Sequence, residues 1–132
     1  MAFEVFNINP KGRKTGDCVT RAIAKAAGIT WQEALRLQYE TSLKTGWSLT
    51  STQTINLVLK GLGFEEQTVR PLPGTKRPTV AKLAELYDLM SVESIVVKVS
   101  GHLTCAVAGT IYDLWDCSAK PAYKFWIKYV ED

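Results

Sequence analysis

Three residue types that together can break an acyl bond occur in this chain in the order cysteine, histidine, aspartate. Cys18 comes early, His102 is the only histidine, and Asp113 and Asp116 follow it closely. A cysteine attacks a carbonyl as its thiolate, an imidazole accepts and returns the proton, and a carboxylate can orient the imidazole. The sequence therefore predicts a thiol-dependent acyl-transfer site that uses Cys18, His102 and one of the two aspartates.

The nucleophile of this site is predicted to lie in the first turn of a helix that begins near Asp17. Apolar residues recur there at the spacing of one helix face, and Gly28 is suited to end the helix. Free N–H groups at a helix start favour an anion, so they lower the pKa of a thiol and can bind an oxyanion. Gly16 would let a substrate backbone approach, whereas Asp17 opposes the thiolate unless its carboxylate turns away to cap the helix.

The histidine and the aspartates are predicted to lie on a β-hairpin formed by residues 102–107 and 110–116 around Ala108-Gly109. A two-residue loop would place His102 opposite Trp115 and leave Asp113 on the histidine's face. A three-residue loop would bring Asp116 opposite His102 instead, because a slip of one residue turns every side chain to the other face. The pattern leaves both aspartates open.

The rest of the chain must build the framework that holds these groups. A capping box of Thr30 and Glu33 begins a second predicted helix, and Ser51 or Thr52 begins a third. Residues 80–87 form a short fourth helix, and residues 94–100 and 123–130 are rich in strand formers. We therefore expect an α+β fold, in which N-terminal helices pack on a C-terminal antiparallel sheet in a single domain of residues 1–132.

The inner faces of these elements follow from their spacing. We expect Trp31, Leu35 and Tyr39 on the inner side of the second helix, and Leu83 and Leu86 on the inner side of the fourth.

Composition narrows the classes of protein to which this chain can belong. Of its 132 residues 46% are hydrophobic and 22% are charged, with a net charge of +3, which is typical of a globular domain. No run is long enough to span a membrane and no signal peptide begins the chain, so we expect a cytoplasmic protein without a membrane partner. The basic residues between Lys11 and Lys14 are interpreted as a solvated loop, so no nucleic-acid partner is expected.

Three cysteines, an odd number, indicate free thiols rather than a disulfide framework. We interpret Cys105 and Cys117 as structural. A zinc site that combines these two with Cys18 and His102 is disfavoured, because positions 102 and 105 point to opposite faces of a regular strand. We therefore expect neither a metal nor an organic cofactor.

Two further side chains near the predicted site can be interpreted in more than one way. Arg21 could touch a substrate carboxylate, but a solvated position on the helix is the interpretation we favour. Trp115 belongs most simply to the core of the sheet, and it could also shield the bond between histidine and carboxylate from water.

Residues 16–23 read Gly-Asp-Cys-Val-Thr-Arg-Ala-Ile, residues 101–107 read Gly-His-Leu-Thr-Cys-Ala-Val, and residues 111–116 read Ile-Tyr-Asp-Leu-Trp-Asp. In this order the segments resemble the papain-like fold cysteine peptidase superfamily, in the compact form found in phage and prophage proteins. The resemblance implies Cys18 as nucleophile, His102 as base, and an aspartate near the strand end as orienter. Asp116 is preferred over Asp113 because it ends the predicted strand.

The chain departs from this family upstream of the cysteine. Papain-type enzymes carry a glutamine there as an oxyanion donor, whereas this chain has Gly12, so Asn9, ahead of Asn7, is the candidate substitute. We therefore predict a cysteine-dependent hydrolase, a peptidase or isopeptidase, that acts on a peptide or protein. The alternative is a catalytically inactive binding module on the same fold, such as a phage protein that sequesters a host factor. The missing glutamine and the adjacent Asp17 motivate this alternative.

Overall fold

The structure is a computed structural model that describes residues 2–71 and 73–130. Its elements follow one another as β1 (Ala2–Val5), α1 (Cys18–Ala27), α2 (Trp31–Thr45), α3 (Thr52–Gly61), β2 (Glu65–Thr68), α4 (Val80–Asp88), β3 (Val92–Val99), β4 (His102–Val107), β5 (Thr110–Asp113) and β6 (Lys124–Tyr129). No helix in these residues is long and apolar enough to cross a membrane.

The six strands form one sheet in the order β1-β5-β4-β3-β6-β2. This confirms an α+β architecture, but the sheet is mixed, because β1 runs parallel to β5 while all other neighbours are antiparallel. The expectation of a purely antiparallel, C-terminal sheet is therefore wrong at both edges. The edge strands β1 and β2 come from the N-terminal half, and both are short and largely exposed.

Two apolar cores cover the two faces of the sheet. On one face, α1 and α3 pack with their buried apolar residues against Val96, Leu103 and the fully buried Trp126. On the other face, α4 packs through Val80 and Leu83 against the strand residues that alternate with those of the first core. Because side chains of a strand alternate between faces, both cores are built from the same central strands. The first turn of α1 is thereby held against β4.

The hairpin between β4 and β5 has a two-residue loop. Val107 pairs with Thr110, and Ala108 and Gly109 both have positive φ, 49° and 81°. This is the backbone of the tight turns that suit the twist of a hairpin. This is the register of the first predicted alternative, the two-residue loop, and it places Asp113 on the same face of the hairpin as His102.

The predicted helices are confirmed in position, with differences at their ends and inner faces. Helix α1 ends before Gly28, which adopts the left-handed conformation. Helix α2 begins with the predicted capping box but continues to Thr45. The inner-face predictions are wrong for Tyr39 and Leu86, which are half exposed. In α2 the buried positions are instead Ala34 and Gln38, because Gln38 bonds the Thr20 hydroxyl and the carbonyl of Leu49.

Candidate active site

The imidazole of His102 lies between the thiol of Cys18 and the carboxylate of Asp113. Nε2 of His102 lies 2.6 Å from Oδ2 of Asp113, and Cys18 and His102 line the same cleft, where the imidazole lowers the pKa of the thiol. Cys18 stands at the start of α1, His102 at the start of β4 and Asp113 at the end of β5. The antiparallel hairpin brings the last two together, and the packing of α1 on the sheet adds the first.

The preference for Asp116 as the residue that orients the imidazole is wrong. Strand β5 ends at Asp113, and Asp116 lies beyond it, exposed, where its carboxylate accepts the N–H of Ser118 at 3.0 Å. Asp113 is only 2% exposed and is the carboxylate that meets the ring. The preference for Asp116 rests on its position at the end of the predicted strand, whereas the strand ends at Asp113 and the two-residue loop gives the register alternative that favours Asp113.

Burial and hydrogen bonding act against each other on this pair, and hydrogen bonding prevails. Burial favours neutral His102, but its bonds to Asp113, Cys117 and Cys18 raise its pKa to about 11. Burial likewise favours neutral Asp113, but the bond from His102 lowers the pKa of this carboxyl to about 2. At neutral pH the imidazole is therefore a cation held by a carboxylate anion.

The thiol of Cys18 is activated by the same imidazolium. Its pKa is lowered chiefly by the hydrogen bond from His102, which outweighs the effect of burial, and further by a hydrogen bond from the N–H of Leu103. A thiol with a lowered pKa beside an imidazolium is typical of a cysteine nucleophile. The arrangement can therefore hold a thiolate and an imidazolium in contact, which is what attack on a carbonyl requires.

Asp17 does not oppose this thiolate in the way its position next to Cys18 suggests. Its Oδ1 lies 2.8 Å from Nε of Arg21, and its Oδ2 accepts from Asn9 and from the indole of Trp31. Arg21 is itself buried and places its second nitrogen 3.0 Å from Oδ1 of Asp113. The guanidinium thus forms ion pairs with both aspartates and holds Asp113 through the carboxylate oxygen that the imidazole does not bind.

Because Asp17 bonds these partners, its side chain does not cap α1. Within residues 2–71 and 73–130 no hydrogen bond uses the backbone N–H of Cys18 or Val19. Free N–H groups at a helix start beside a nucleophile are suited to bind an oxyanion. The backbone of the first turn of α1 can therefore perform the task for which Asn9 was the candidate.

Asn9 itself has a different set of partners. Its amide nitrogen donates to Asp17 at 3.0 Å, and its oxygen accepts the backbone N–H groups of Lys11 and Arg13. Asn7 donates to the carbonyl of Arg13 and accepts from the N–H of Asn9. Both side chains therefore fasten the loop before α1 instead of pointing a free donor at Cys18.

Two residues behind the imidazole complete its surroundings. The fully buried thiol of Cys117 lies 3.6 Å from Oδ2 of Asp113 and also hydrogen-bonds His102. The indole of Trp115 packs on the imidazole with ring centroids 4.9 Å apart. The interpretation of Trp115 as a core residue of the sheet is wrong, because it lies beyond β5 and is 42% exposed, and its indole instead covers the imidazole. Cys117 is more than a core residue.

A metal ion could in principle be held by His102, Asp113 and Cys117, whose ligand atoms lie within 4.8 Å of one another. Here these atoms are already bonded to one another, and Arg21 sits on the same carboxylate. A cation placed among them would break the bond between imidazole and carboxylate and would face the guanidinium. We therefore interpret the group as a hydrogen-bonded cluster. Cys105 takes no part, because its side chain lies in the core on the α1 face.

The interpretation of Arg21 as a solvated helix residue is wrong, because its side chain is buried and pairs with Asp17 and Asp113. The interpretation of Cys117 as structural did not assign it to the site. A signal for Arg21 was present, because Asp17 and Arg21 are four residues apart, the spacing of an ion pair on a helix. No comparable sequence spacing indicates that Cys117 belongs to the site. Its position depends on how residues 114–116 turn back after β5, which is a property of the folded chain.

A cleft of about 200 Å³ opens beside the thiol and the imidazole. Three segments form its walls: the loop and first turn of α1, the start of α3, and the turn between β3 and β4. The lining residues are Gly16, Cys18, Val19, Thr50, Ile55, Lys98, Gly101, His102 and Leu103. A Cβ atom added at Gly16 or Gly101 would meet nothing within 4 Å, so the cleft is open at both glycines.

Comparison with known proteins gives no assignment. The chain matches no protein-family model, no curated protein and no solved structure.

Proposed function

We propose that this protein is a cysteine-dependent hydrolase, a peptidase or isopeptidase, in which Cys18, His102 and Asp113 act as nucleophile, acid and base, and orienting carboxylate. The observation that carries the proposal is the position of the imidazole, which shares a cleft with the thiol of Cys18 and is hydrogen-bonded to a buried carboxylate. The resemblance to papain-like peptidases is part of the same proposal. Free thiols at the site suit a reducing compartment such as the cytoplasm.

In the first half of the reaction, the thiolate of Cys18 attacks the carbonyl carbon of the scissile amide. The negative charge that forms on the carbonyl oxygen is taken up by the free N–H groups at the start of α1. The imidazolium of His102 then gives its proton to the departing nitrogen, so the C–N bond breaks and an amine leaves. The acyl group stays on the sulfur as a thioester, and His102 becomes neutral.

In the second half, neutral His102 removes a proton from a water molecule that attacks the thioester. The C–S bond breaks, the carboxylic acid leaves, and thiolate and imidazolium are restored. Asp113 keeps the ring oriented through both halves, because it binds Nε2 and leaves Nδ1 available for proton transfer. Arg21 in turn holds Asp113 through its other oxygen.

One of the two observations that favoured an inactive binding module, the position of Asp17 next to Cys18, no longer does so. Asp17 is paired with Arg21 and therefore does not repel the thiolate. The other observation, the missing glutamine, does not require inactivity, because backbone N–H groups at the start of α1 are free to bind an oxyanion. A scaffold that only binds a partner has no need for an imidazolium between a thiol and a buried carboxylate. We therefore favour the hydrolase.

The test is acylation of the protein by an activated aryl ester at pH 7, followed by mass spectrometry of intact protein and peptides. We expect the acyl group on Cys18, and we expect it to disappear over time as water hydrolyses the thioester. In His102→Gln the acyl group should form more slowly and persist, because no general base activates the water. Cys18→Ser should show no such thioester.

Cys105→Ser is the matched control, because it removes a thiol that lies in the core and takes no part in the site. This variant should acylate and deacylate like the unmodified chain. Equal rates of acylation and loss in the unmodified chain and in His102→Gln would refute the hydrolase, and an adduct that persists in both would favour the binding module.

A further inference from the structure

The cleft beside Cys18 contains one charged side chain besides the His102 imidazolium, and that side chain is Lys98. Lys98 lies on β3, a central strand of the sheet, one position before Val99, the residue that pairs with His102. No acidic residue lines the cleft. Among residues 2–71 and 73–130, no carboxylate forms an ion pair with Lys98.

The sheet itself gives no reason for a lysine at this place. Lys98 pairs across the strands with Leu103 on one side and with Lys124 on the other. Like charges directly opposite each other destabilise a sheet. Lys124 is compensated by Glu66 at 3.1 Å, but Lys98 is not. A cation without a structural partner, directed into the cleft of a reactive thiol, is suited to meet an anionic group of a ligand.

The other charges near the thiol favour the same kind of ligand. Asp17 and Asp113, the two acidic groups closest in the network, are both bound to the guanidinium of Arg21. His102 carries a positive charge at neutral pH, and the helix start of α1 adds a partial positive charge. Apart from the thiolate of Cys18 itself, the charges that face the cleft are therefore positive. Its volume of about 200 Å³ lies below that of pockets for drug-sized ligands, so it accommodates a residue-sized group.

We propose that this cleft binds acyl groups that carry a carboxylate close to the scissile carbonyl, and that Lys98 is the side chain that selects them. The inference rests on the proposed function, because it assigns a substrate class to the same thiol. Two kinds of acyl group share this chemistry. One is an α-linked glutamyl or aspartyl residue, which offers its side-chain carboxylate, and the other is a γ-linked glutamyl group, which offers its α-carboxylate.

The first experiment compares two alkylating agents of nearly equal shape, iodoacetate and iodoacetamide, on Cys18. In both cases the thiolate displaces iodide, so the ratio of the two rates reports the effect of the carboxylate alone. We expect Lys98→Met to lower the ratio of iodoacetate to iodoacetamide at least about fivefold at low salt, because one nearby positive charge is lost. Salt at 1 M should shrink this difference, since it screens exposed charges.

Lys124→Met is the matched control, because it removes the same charge from the neighbouring strand, where Glu66 already compensates it. This control should leave the ratio unchanged. An equal ratio in the unmodified chain, Lys98→Met and Lys124→Met would overturn the role of Lys98. Alkylation does not require turnover, so this outcome would leave the acylation test of the hydrolase untouched. Thermal melts of both variants check that the fold is intact.

The second experiment distinguishes the two sources of the carboxylate with coumarin amides. Acetyl-α-glutamyl and γ-glutamyl amides are compared with acetyl-α-glutaminyl amide, in which the side-chain charge is absent. Faster cleavage of either glutamyl amide than of the glutaminyl amide, lost in Lys98→Met but not in Lys124→Met, identifies the source. Cleavage of the glutaminyl amide at the same rate as both glutamyl amides would contradict the proposal while supporting the hydrolase.

Discussion

Helices α1 and α4 pack on opposite faces of the same sheet, and they begin in opposite ways. At α4 the hydroxyl of Thr79 accepts the N–H of Lys82, as Thr30 and Ser51 do for the third helical residue of α2 and α3. At α1 the equivalent residue is Asp17, whose carboxylate caps nothing. Helix α4 buries apolar residues alone, whereas α1 also buries the cation of Arg21.

The fold thus lacks a stabilising side-chain cap at the helix that carries the candidate nucleophile. A side-chain cap is worth about 1 kcal/mol, so an uncapped first turn has a cost. That cost is incurred only at the helix that begins with Cys18, and the carboxylate that could have capped it holds Arg21 instead. The side-chain acceptor that serves the N–H of the third residue in α2, α3 and α4 is absent at α1, where the N–H groups of the first turn are left to a ligand. The predictions below test this contrast in order of expected size.

The largest effect is expected for Arg21→Met. The substitution leaves the carboxylate of Asp17 buried without its cation and leaves Asp113 with the imidazolium alone, and removing one partner of a buried ion pair costs about 3 to 5 kcal/mol. Urea unfolding should show a loss of this size. The control is Arg36→Met in α2, which breaks an exposed pair with Glu40 and should cost no more than about 1 kcal/mol. Similar losses in both variants would mean that the Arg21 network contributes no more than a surface pair.

The second prediction concerns pH. The pKa of Asp113 is lowered to about 2 in the folded protein, so its contribution is fully present above the unfolded value near 4 and is lost as pH falls through 2. The stability difference between the unmodified chain and Asp113→Asn should therefore shrink by about 2 kcal/mol between pH 5 and pH 2. Urea unfolding at several pH values measures it, and a difference independent of pH would contradict the ion pair.

The imidazole behaves in the opposite sense at high pH. The pKa of His102 is raised to about 11, so the stability that its charge contributes is present below the unfolded value near 6.5 and is lost as pH rises through 11.

The region around α4 serves as the internal control for both pH effects, because the helix start at Thr79 depends on a hydroxyl that does not titrate. The stability difference between the unmodified chain and Thr79→Ala should therefore stay constant from pH 2 to pH 9.

The third prediction isolates the caps. Thr79→Ala should lower the free energy of unfolding by about 1 kcal/mol, because the N–H of Lys82 loses its acceptor. It should leave the alkylation rate of Cys18 unchanged, since α4 lies on the face of the sheet away from α1. A changed alkylation rate in this variant would show that the two helix starts are coupled through the sheet, contrary to the comparison above.

The parts of the fold that sequence predicted are those with local causes. The capping box at Thr30, the helix end at Gly28 and the turn at Ala108-Gly109 each depend on a few neighbouring residues. The edge strands β1 and β2 escaped prediction, because each has only four residues and pairs with a partner far along the chain. Their pairing is decided by the folded sheet.

The candidate site divides in the same way. Cys18 and His102 could be chosen from residue type, helix position and the presence of a single histidine. The third residue depended on hairpin register, which physical reasoning reduced to two choices and the two-residue loop then decided. Cys117 depends on the path of the chain after β5.

The smallest effect is expected for Asp116→Asn, and it separates the two aspartates. The carboxylate of Asp116 is exposed and accepts the N–H of Ser118, a task that an asparagine oxygen can perform equally well. We therefore expect a stability change within about 0.5 kcal/mol and an unchanged rate of thioester loss. Asp113→Asn is the matched substitution, and it should slow thioester loss because the imidazole loses the anion that orients it. If Asp116→Asn slowed the reaction as much as Asp113→Asn, the orienting role would belong to the loop after β5 and not to the end of the strand.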